Sequence, residues 1–342
     1  MPEELNLREK KILKALINEF IFTAEPVSSK VIADKYDLKI SPATVRNSMR
    51  DLEEKGLLKQ PHHSAGRIPT DEGYRIYVDS LIRPERLSNR EKEKIKEKMK
   101  AEYTTVENLF EQTSRILGRV SNLLGVTVTP HLDSEILTHI DLLPVADRKF
   151  LVVMAVKSGI VRSFLLESNS DIKPKILEET ERVLNQKLSG LSLRDLMISA
   201  ERRLRESYTI DPQIIRLFLD STDNLLSFQE EGKVYLSESK NLLDQPEFKN
   251  LDNIANLIRL LENKKFWLKI FHTQVAKERI SVKIGRELGK EEIEACSLIY
   301  CSYGKGSFKG KLGLVGPTRM KYAKLVSLVD YTSNLLGDML FK

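Results

Sequence analysis

Ser41-Pro42 and Gly56 bracket a helix whose two faces differ in kind, and the chain around them must accommodate both. A serine side chain can accept from the orphan N–H groups of an opening helix, and a following proline pre-sets φ for the first turn. Gly56, after Lys55, is placed to take the left-handed conformation that stops a helix. Between these ends Val45, Met49 and Leu52 recur at i, i+4, i+7, so one face must pack inward. The opposite face centres on Asn47, with Ala43, Thr44, Arg46 and Arg50 towards its sides. That face is short, polar and partly cationic. It suits the floor of a DNA major groove, where Asn and Arg make bidentate contacts with base edges.

The flanking sequence supplies a setting for such a helix. Residues 7–23 put Leu7, Ile12, Leu13, Leu16, Ile17, Phe20 and Ile21 on one broad stripe, which predicts an amphipathic helix. AEPVSS breaks it, Ser28 or Ser29 can cap a short second helix through Tyr36, and DLKI makes the turn. Three helices at this spacing, the third polar outside, form the helix-turn-helix pattern. Leu57–Gln60 then reads as a short strand, HHSAG as a loop and RIP as the return strand, a wing with Gly66 and Arg67 at its tip. Thr70 is placed to cap a fourth helix, DEGYRIYVDSLI. Three helices alone also occur in domains that touch no nucleic acid; the wing favours the DNA reading. Thr44, Asn47 and Arg50 are the candidates for base contacts, with Ser41, Arg46 and Arg67 mainly for phosphates. His62 and His63 suit phosphate contacts and equally suit a solvated loop.

Charge agrees without deciding. The chain carries a net +6, a weak hint of a polyanionic partner, and residues 35–67 hold seven Lys/Arg against four acids, an excess of three. Its 342 residues suggest two or three domains, and 41% hydrophobic with 30% charged residues suits a soluble globular protein. No apolar run approaches the roughly 18–20 residues of a membrane span, and the acidic N-terminus lacks a signal core. A cytoplasmic protein with no membrane partner is expected, its two cysteines, Cys296 and Cys301, reduced.

The run HHSAGRIPTDEGYRIYVDSL, preceded by SPATVRNSMRDLEEKGLL, resembles the winged-helix region of the HrcA heat-inducible transcription repressors. The likeness is near-continuous from Asn6 to Leu81 and rests on the unusual SAGRIPT-type wing. GKVYLSESKNLLDQPEF and GKLGLVGPTRMKYAKLVSLVDY also resemble the family, so it spans the whole chain. The resemblance implies a repressor that binds an inverted-repeat operator of chaperone genes as a homodimer, modulated by heat and a GroEL-type chaperonin. It further implies a GAF-like sheet domain carrying an insert that helps to dimerise the protein.

Pattern changes divide the remainder. Pro84 biases its neighbour away from helix and Ser88 can restart one. Tyr103, Val106, Phe110, Thr113, Leu117, Val120 and Leu124 follow a 3-4 spacing, which fits a short coiled-coil seam or a helix laid on its own domain. EILTHIDLLPV, KFLVVMAVKSG and IVRSFLLES read as an antiparallel meander. Helical patterns run from about 173 to 263 with one short strand, KVYLS, and strands return in WLKIFHT, RISVKIGRE, SLIYCSYG and GKLGLVGP. Pro317 and Thr318 are expected to open a last helix. The expected fold is α+β multidomain: a winged helix-turn-helix over 1–83, a linker and start of a long helix over 84–100, and a GAF-like α/β sheet domain over 101–189 and 263–342. A mostly helical inserted subdomain at 190–262 would interrupt that domain.

No catalytic constellation emerges, so an enzyme is not expected. GKGSFKGKLG lacks the G-x-x-x-x-G-K-[ST] spacing of a phosphate loop and reads as a hairpin turn. Cys296 and Cys301, five apart on a strand, face opposite sides. His62, His63, His131, His139 and His272 form no metal or nucleophile set, and no cofactor is implied; Trp267 and Phe266 read as core. Two other readings stand beside the repressor. In one the sheet domain binds a small metabolite, which a cavity with convergent polar groups would favour. In the other the winged helix binds protein rather than DNA.

Overall fold

The computed structural model describes residues 5–63, 65–101, 105–130, 133, 135–205, 212–227, 232–248, 251–272, 279–306 and 308–341. Its N-terminal part is a three-helix core with a wing: α1 (Leu7–Thr23), α2 (Ser29–Lys35), α3 (Pro42–Glu54), β1 (Leu58–Lys59) and β2 (Ile68–Pro69). Asn6 caps α1 in a reciprocal box with Glu9, and of the two candidate serines it is Ser28 that caps α2. Ile12, Leu13, Leu16 and Ile17 of α1 are fully buried. Each contributes about 1.5–3 kcal/mol on burial, which outweighs any local propensity in fixing the helix. Thr70 caps α4 (Asp71–Ile76) as expected, and a wider helical turn carries it on to Leu81.

α5 (Asn89–Ala101) opens on a reciprocal pair of bonds between Ser88 and Glu91, the restart read at Ser88. α6 (Val106–Ser121) leads into β3 (Leu124–Val128). Phe110, Thr113 and Leu117 of α6 are buried, and the helix packs on the sheet of its own chain. The alternative of a helix on its own domain is therefore the one realised; Tyr103 lies outside the described residues.

The meander is present as β4 (Leu137–Ala146), β5 (Lys149–Val156) and β6 (Val161–Glu167), a three-stranded sheet of its own. α7 (Pro174–Leu188), α8 (Leu193–Leu204) and α9 (Pro212–Ser227) follow it, and a core including Phe150, Val152, Leu184, Leu196 and Phe218 joins sheet and helices. The chain then supplies β7 (Val234–Ser237), α10 (Ser239–Leu243), α11 (Leu251–Glu262), α12 (Lys264–His272), β8 (Ile280–Ile284), β9 (Cys296–Lys305), β10 (Phe308–Pro317) and α13 (Tyr322–Leu340). A five-stranded antiparallel sheet runs in the order β7-β3-β10-β9-β8.

This topology moves two expected boundaries. Among the described residues β4–β6 make no pairing with the larger sheet, whereas β7, inside the expected insert, pairs directly with β3. The interruption of the larger sheet therefore lies between β3 and β7, beginning well before residue 190 and ending before 234. Of WLKIFHT, expected as a strand, Trp267 to His272 belong to α12, and Thr273 lies outside the described residues. The Asn263 side chain accepts from Phe266 N at 3.0 Å and helps open the helix; Trp267, Ile270 and Phe271, at helical spacing, are buried. The Trp267 indole donates to Leu260 O at 3.0 Å, confirming it as core, while Phe266 is half-buried against it. The last helix starts at Tyr322 rather than at Pro317, because Pro317 still pairs with Cys296 at the end of β10. Cys296 and Cys301 are both buried, in the two different clusters that flank the sheet, as their spacing required.

Candidate nucleic-acid interface

α3 is built as its two ends dictate. The Ser41 hydroxyl accepts from Thr44 N at 3.2 Å and lies 3.0 Å from the Thr44 hydroxyl. At the other end Gly56, at φ +73°, donates to Glu53 O at 2.9 Å while Leu57 N reaches Leu52 O at 2.9 Å. That pair of bonds is the Schellman stop, and it turns the chain straight into β1. Val45, Met49 and Leu52 are buried along with Ser48. Ser41, Ala43, Arg46, Asn47 and Arg50 are exposed, and Thr44 is half-buried. The structure therefore brings six of the sequence-chosen residues or their neighbours onto one open face, with Arg50 in a loose 3.7 Å pair with Glu54.

Two buried acids of α1 tie the three helices together, Glu9 holding the end of α3 and Glu19 the end of α2. Lys55, just past the end of α3, places Nζ 2.9 Å from Glu9 Oε1 in α1. Burial pushes the Glu9 carboxyl up, but Lys55 and the Asn6 N–H outweigh it and hold the group below its ordinary value. Lys35 of α2 lies 2.8 Å from Glu19, and the Tyr36 hydroxyl donates to the same carboxylate at 3.2 Å. Burial and that carboxylate push the Tyr36 phenol up to about 12. Two of the seven cations counted in 35–67 thus answer internal acids.

Arg67 is a third, and its place differs from the expected wing tip. Its guanidinium Nε lies 2.8 Å from Glu53 Oε2 on α3, with the two side chains 21% and 30% exposed. Its backbone exchanges two bonds with Val27, at 2.9 and 2.8 Å, so Arg67 stands at the wing's base, clipped to the segment before α2. Gly66 is required there: a Cβ would sit 2.4 Å from Val27 O. The turn itself carries exposed His62 and His63, with Ala65 N donating to His62 O at 2.9 Å; Ser64 lies outside the described residues. The Gln60 amide donates to His63 O at 2.9 Å and to Ala65 O at 3.0 Å, holding the turn from within. Gln60 and Glu53 were not legible as functional, since their roles exist only once the wing has folded back. Among the described residues Lys39, Arg46 and Lys59 make no ion pair, and they set the positive character of this surface.

Elsewhere one group of possible ligands comes together, His139 and Asp141 on β4 with Glu181 on α7, their ligand atoms within 4.8 Å of one another. His139 Nε2 lies 3.1 Å from Asp141 Oδ1, and Glu181 accepts from Leu142 N at 2.9 Å. These bonds account for the grouping without an ion. His131 lies outside the described residues. A cleft of about 440 Å³ at the β7 edge is lined by Glu111, Arg115, Tyr235, Glu238 and Lys264. Arg115 and Glu238 already pair there with Glu111 at 2.8 Å and Arg119 at 2.9 Å. No helix among the described residues is long and apolar enough to cross a membrane.

Comparison with known proteins agrees with this surface. Residues 4–81 match the winged helix-turn-helix transcription repressor, HrcA DNA-binding family, and residues 107–326 match the HrcA protein C terminal domain. The chain belongs to the HrcA family. The heat-inducible transcription repressor HrcA of Pelotomaculum thermopropionicum is 36% identical over 98% of this chain and 97% of its own length. That of Carboxydothermus hydrogenoformans is 37% identical over 97% of each. A crystal structure described as that of a hypothetical protein shares the fold, with a TM-score of 0.65, 24% identity and coverage of 98% of this chain and 99% of that one. As an HrcA heat-inducible transcription repressor, the chain is a DNA-binding winged-helix protein and not an enzyme.

Proposed function

We propose that this HrcA chain acts in the cytoplasm as a homodimer that reads an inverted-repeat operator of chaperone genes. Each subunit lays α3 in a major groove, Thr44, Asn47 and Arg50 on base edges, Ser41 and Arg46 on phosphates, and His62 at the wing on the adjacent backbone. What carries this reading is the exposed polar row on a helix whose opposite face is fully buried, beside Lys39 and Lys59. Two-fold symmetry places the two heads on groove faces separated by whole turns, roughly 34 Å each. Arg67 serves this surface by holding the wing against α3.

The order of the five-stranded sheet, renumbered within its own unit, is 2-1-5-4-3, which supports a GAF-like assignment. The unit inserted in that sheet supplies the dimer contact. Its support is the row Leu143, Leu151 and Leu165, adjacent across β4, β5 and β6, with Leu143 and Leu165 about half exposed. A GroEL-type chaperonin sustains the DNA-competent form, and heat withdraws that support. Equal operator affinity with and without chaperonin after heating would refute this regulation.

Asn47→Ala tests the base-reading helix. It is expected to lose on the order of 1–3 kcal/mol of operator affinity and to relax sequence preference. Wild-type binding of both operator and scrambled duplex by that variant would overturn the assignment.

A further inference from the structure

The winged helix is not joined to the sheet domain by backbone alone. Arg75, on α4, donates from Nε to Glu287 Oε1 at 2.8 Å, and its Nη2 bonds Glu287 Oε2 as well. The same Nη2 reaches Val282 O on β8 at 2.7 Å, while Nη1 reaches Asp79 at 3.1 Å. The fork is thus shared between its own helix and the edge of the sheet. Beside it Asp71, at the start of α4, accepts from Arg286 N at 3.0 Å. Gly285 makes that approach feasible, since a Cβ there would lie 2.0 Å from the Asp71 carboxylate. Beneath this polar contact Tyr74 and Tyr77 pack on Tyr322, ring centroids 6.0 and 6.5 Å away. Tyr74 and Tyr322 are almost wholly buried. Glu85 N donates to Ala323 O at 2.9 Å, and Lys324 lies 2.7 Å from Glu91, closing the contact along the connecting segment.

We infer that Arg75 and Glu287 form a latch that sets the angle at which each DNA-reading head leaves the body, and so sets the operator spacing the dimer accepts. This rests on the two-headed reading above. Among the described residues the bonds of Arg75 and Glu287 go to neither α3 nor the wing, so the latch leaves the affinity of one head for one half-site alone. A planar guanidinium held by both oxygens of one carboxylate resists rotation in a way that apolar packing does not. Two heads held at fixed spacing bind a matching pair of half-sites with a high effective concentration. Heads that swivel lose part of that gain at the matching spacing and accept other spacings in return. Arg75 and Glu287 are therefore positioning residues.

The experiment uses the full chain with Glu287→Gln and, separately, Arg75→Ala, and with Glu287→Asp as the conservative variant. Affinities are measured at one salt concentration for a single half-site, for the native inverted repeat, and for that repeat with half a helical turn inserted between its arms. The inference predicts half-site affinity within about two-fold of wild type for every variant. It predicts that the ratio of native-spacing to altered-spacing affinity falls by on the order of ten-fold in Glu287→Gln and Arg75→Ala, and that Glu287→Asp retains more of it. Unchanged ratios in both variants overturn the latch. So does an equal loss on half-site and full site, which marks a general loss of fold. Should the wild-type protein itself show no preference for native spacing, it is the two-headed reading that fails.

Discussion

Glu53→Gln separates two roles for Arg67 that give opposite signs. If Arg67 is a phosphate contact, the Glu53 carboxylate competes with DNA for it, and neutralising Glu53 strengthens binding. If Arg67 is a strut, Glu53→Gln loosens the wing and weakens binding. The geometry favours the strut, with a 2.8 Å charge-assisted bond whose partners are both less than a third exposed. Exposed pairs are worth about 0.2–1 kcal/mol and hydrogen bonds to charged groups about 1.5–3. This partly screened pair falls between, at about 1–2 kcal/mol. The assay is amide exchange at Val27 and Arg67, whose N–H groups bond across the wing base. An opening cost lower by about 1–2 kcal/mol raises their exchange roughly five- to thirty-fold. Operator affinity should fall with it, and Arg67→Ala should do likewise while leaving the salt dependence of binding unchanged. Tighter binding by Glu53→Gln, or a salt slope shallower by about 0.9 in Arg67→Ala, would refute the strut, since a lost phosphate contact has that signature.

Gly66→Ala should open the wing more severely, because its Cβ would sit 2.4 Å from backbone that cannot yield; wing amides should exchange freely while α1 and α2 keep their protection. Acid should loosen the head from the other side. The folded Glu9 carboxyl lies below its ordinary 4.5, so its stabilisation is fully present above about pH 4.5 and disappears as pH falls through the folded value. A titration of α1–α3 exchange in wild type and Glu9→Gln checks this, and identical acid profiles would contradict it.

The parts of the head legible in the sequence were those whose causes are local. Ser41, Pro42 and Gly56 act on the backbone beside them, and Val45, Met49 and Leu52 announce their burial by spacing alone. Arg67 shows the limit. A cation after a glycine in a loop reads as a tip, and only the return of the wing onto α3 reveals Glu53 as its partner. The sheet boundaries failed for a similar reason. β3 takes its partners from β7 and β10, far along the chain, and nothing near residue 128 says that the strands after it belong elsewhere. WLKIFHT failed because a short apolar run has no decisive period. Tertiary burial decides it, since the helix puts Trp267, Ile270 and Phe271 together into the core.

The most direct test of the account is a methylation-protection footprint of the full-length protein on its operator. If α3 of two symmetric subunits reads bases, guanine N7 positions are protected in two major-groove patches related by a dyad and separated by whole helical turns. In Asn47→Ala the patches weaken together and equally. Protection confined to the minor groove, or to a single unrepeated patch, would contradict the claim that paired α3 helices are what this repressor reads with.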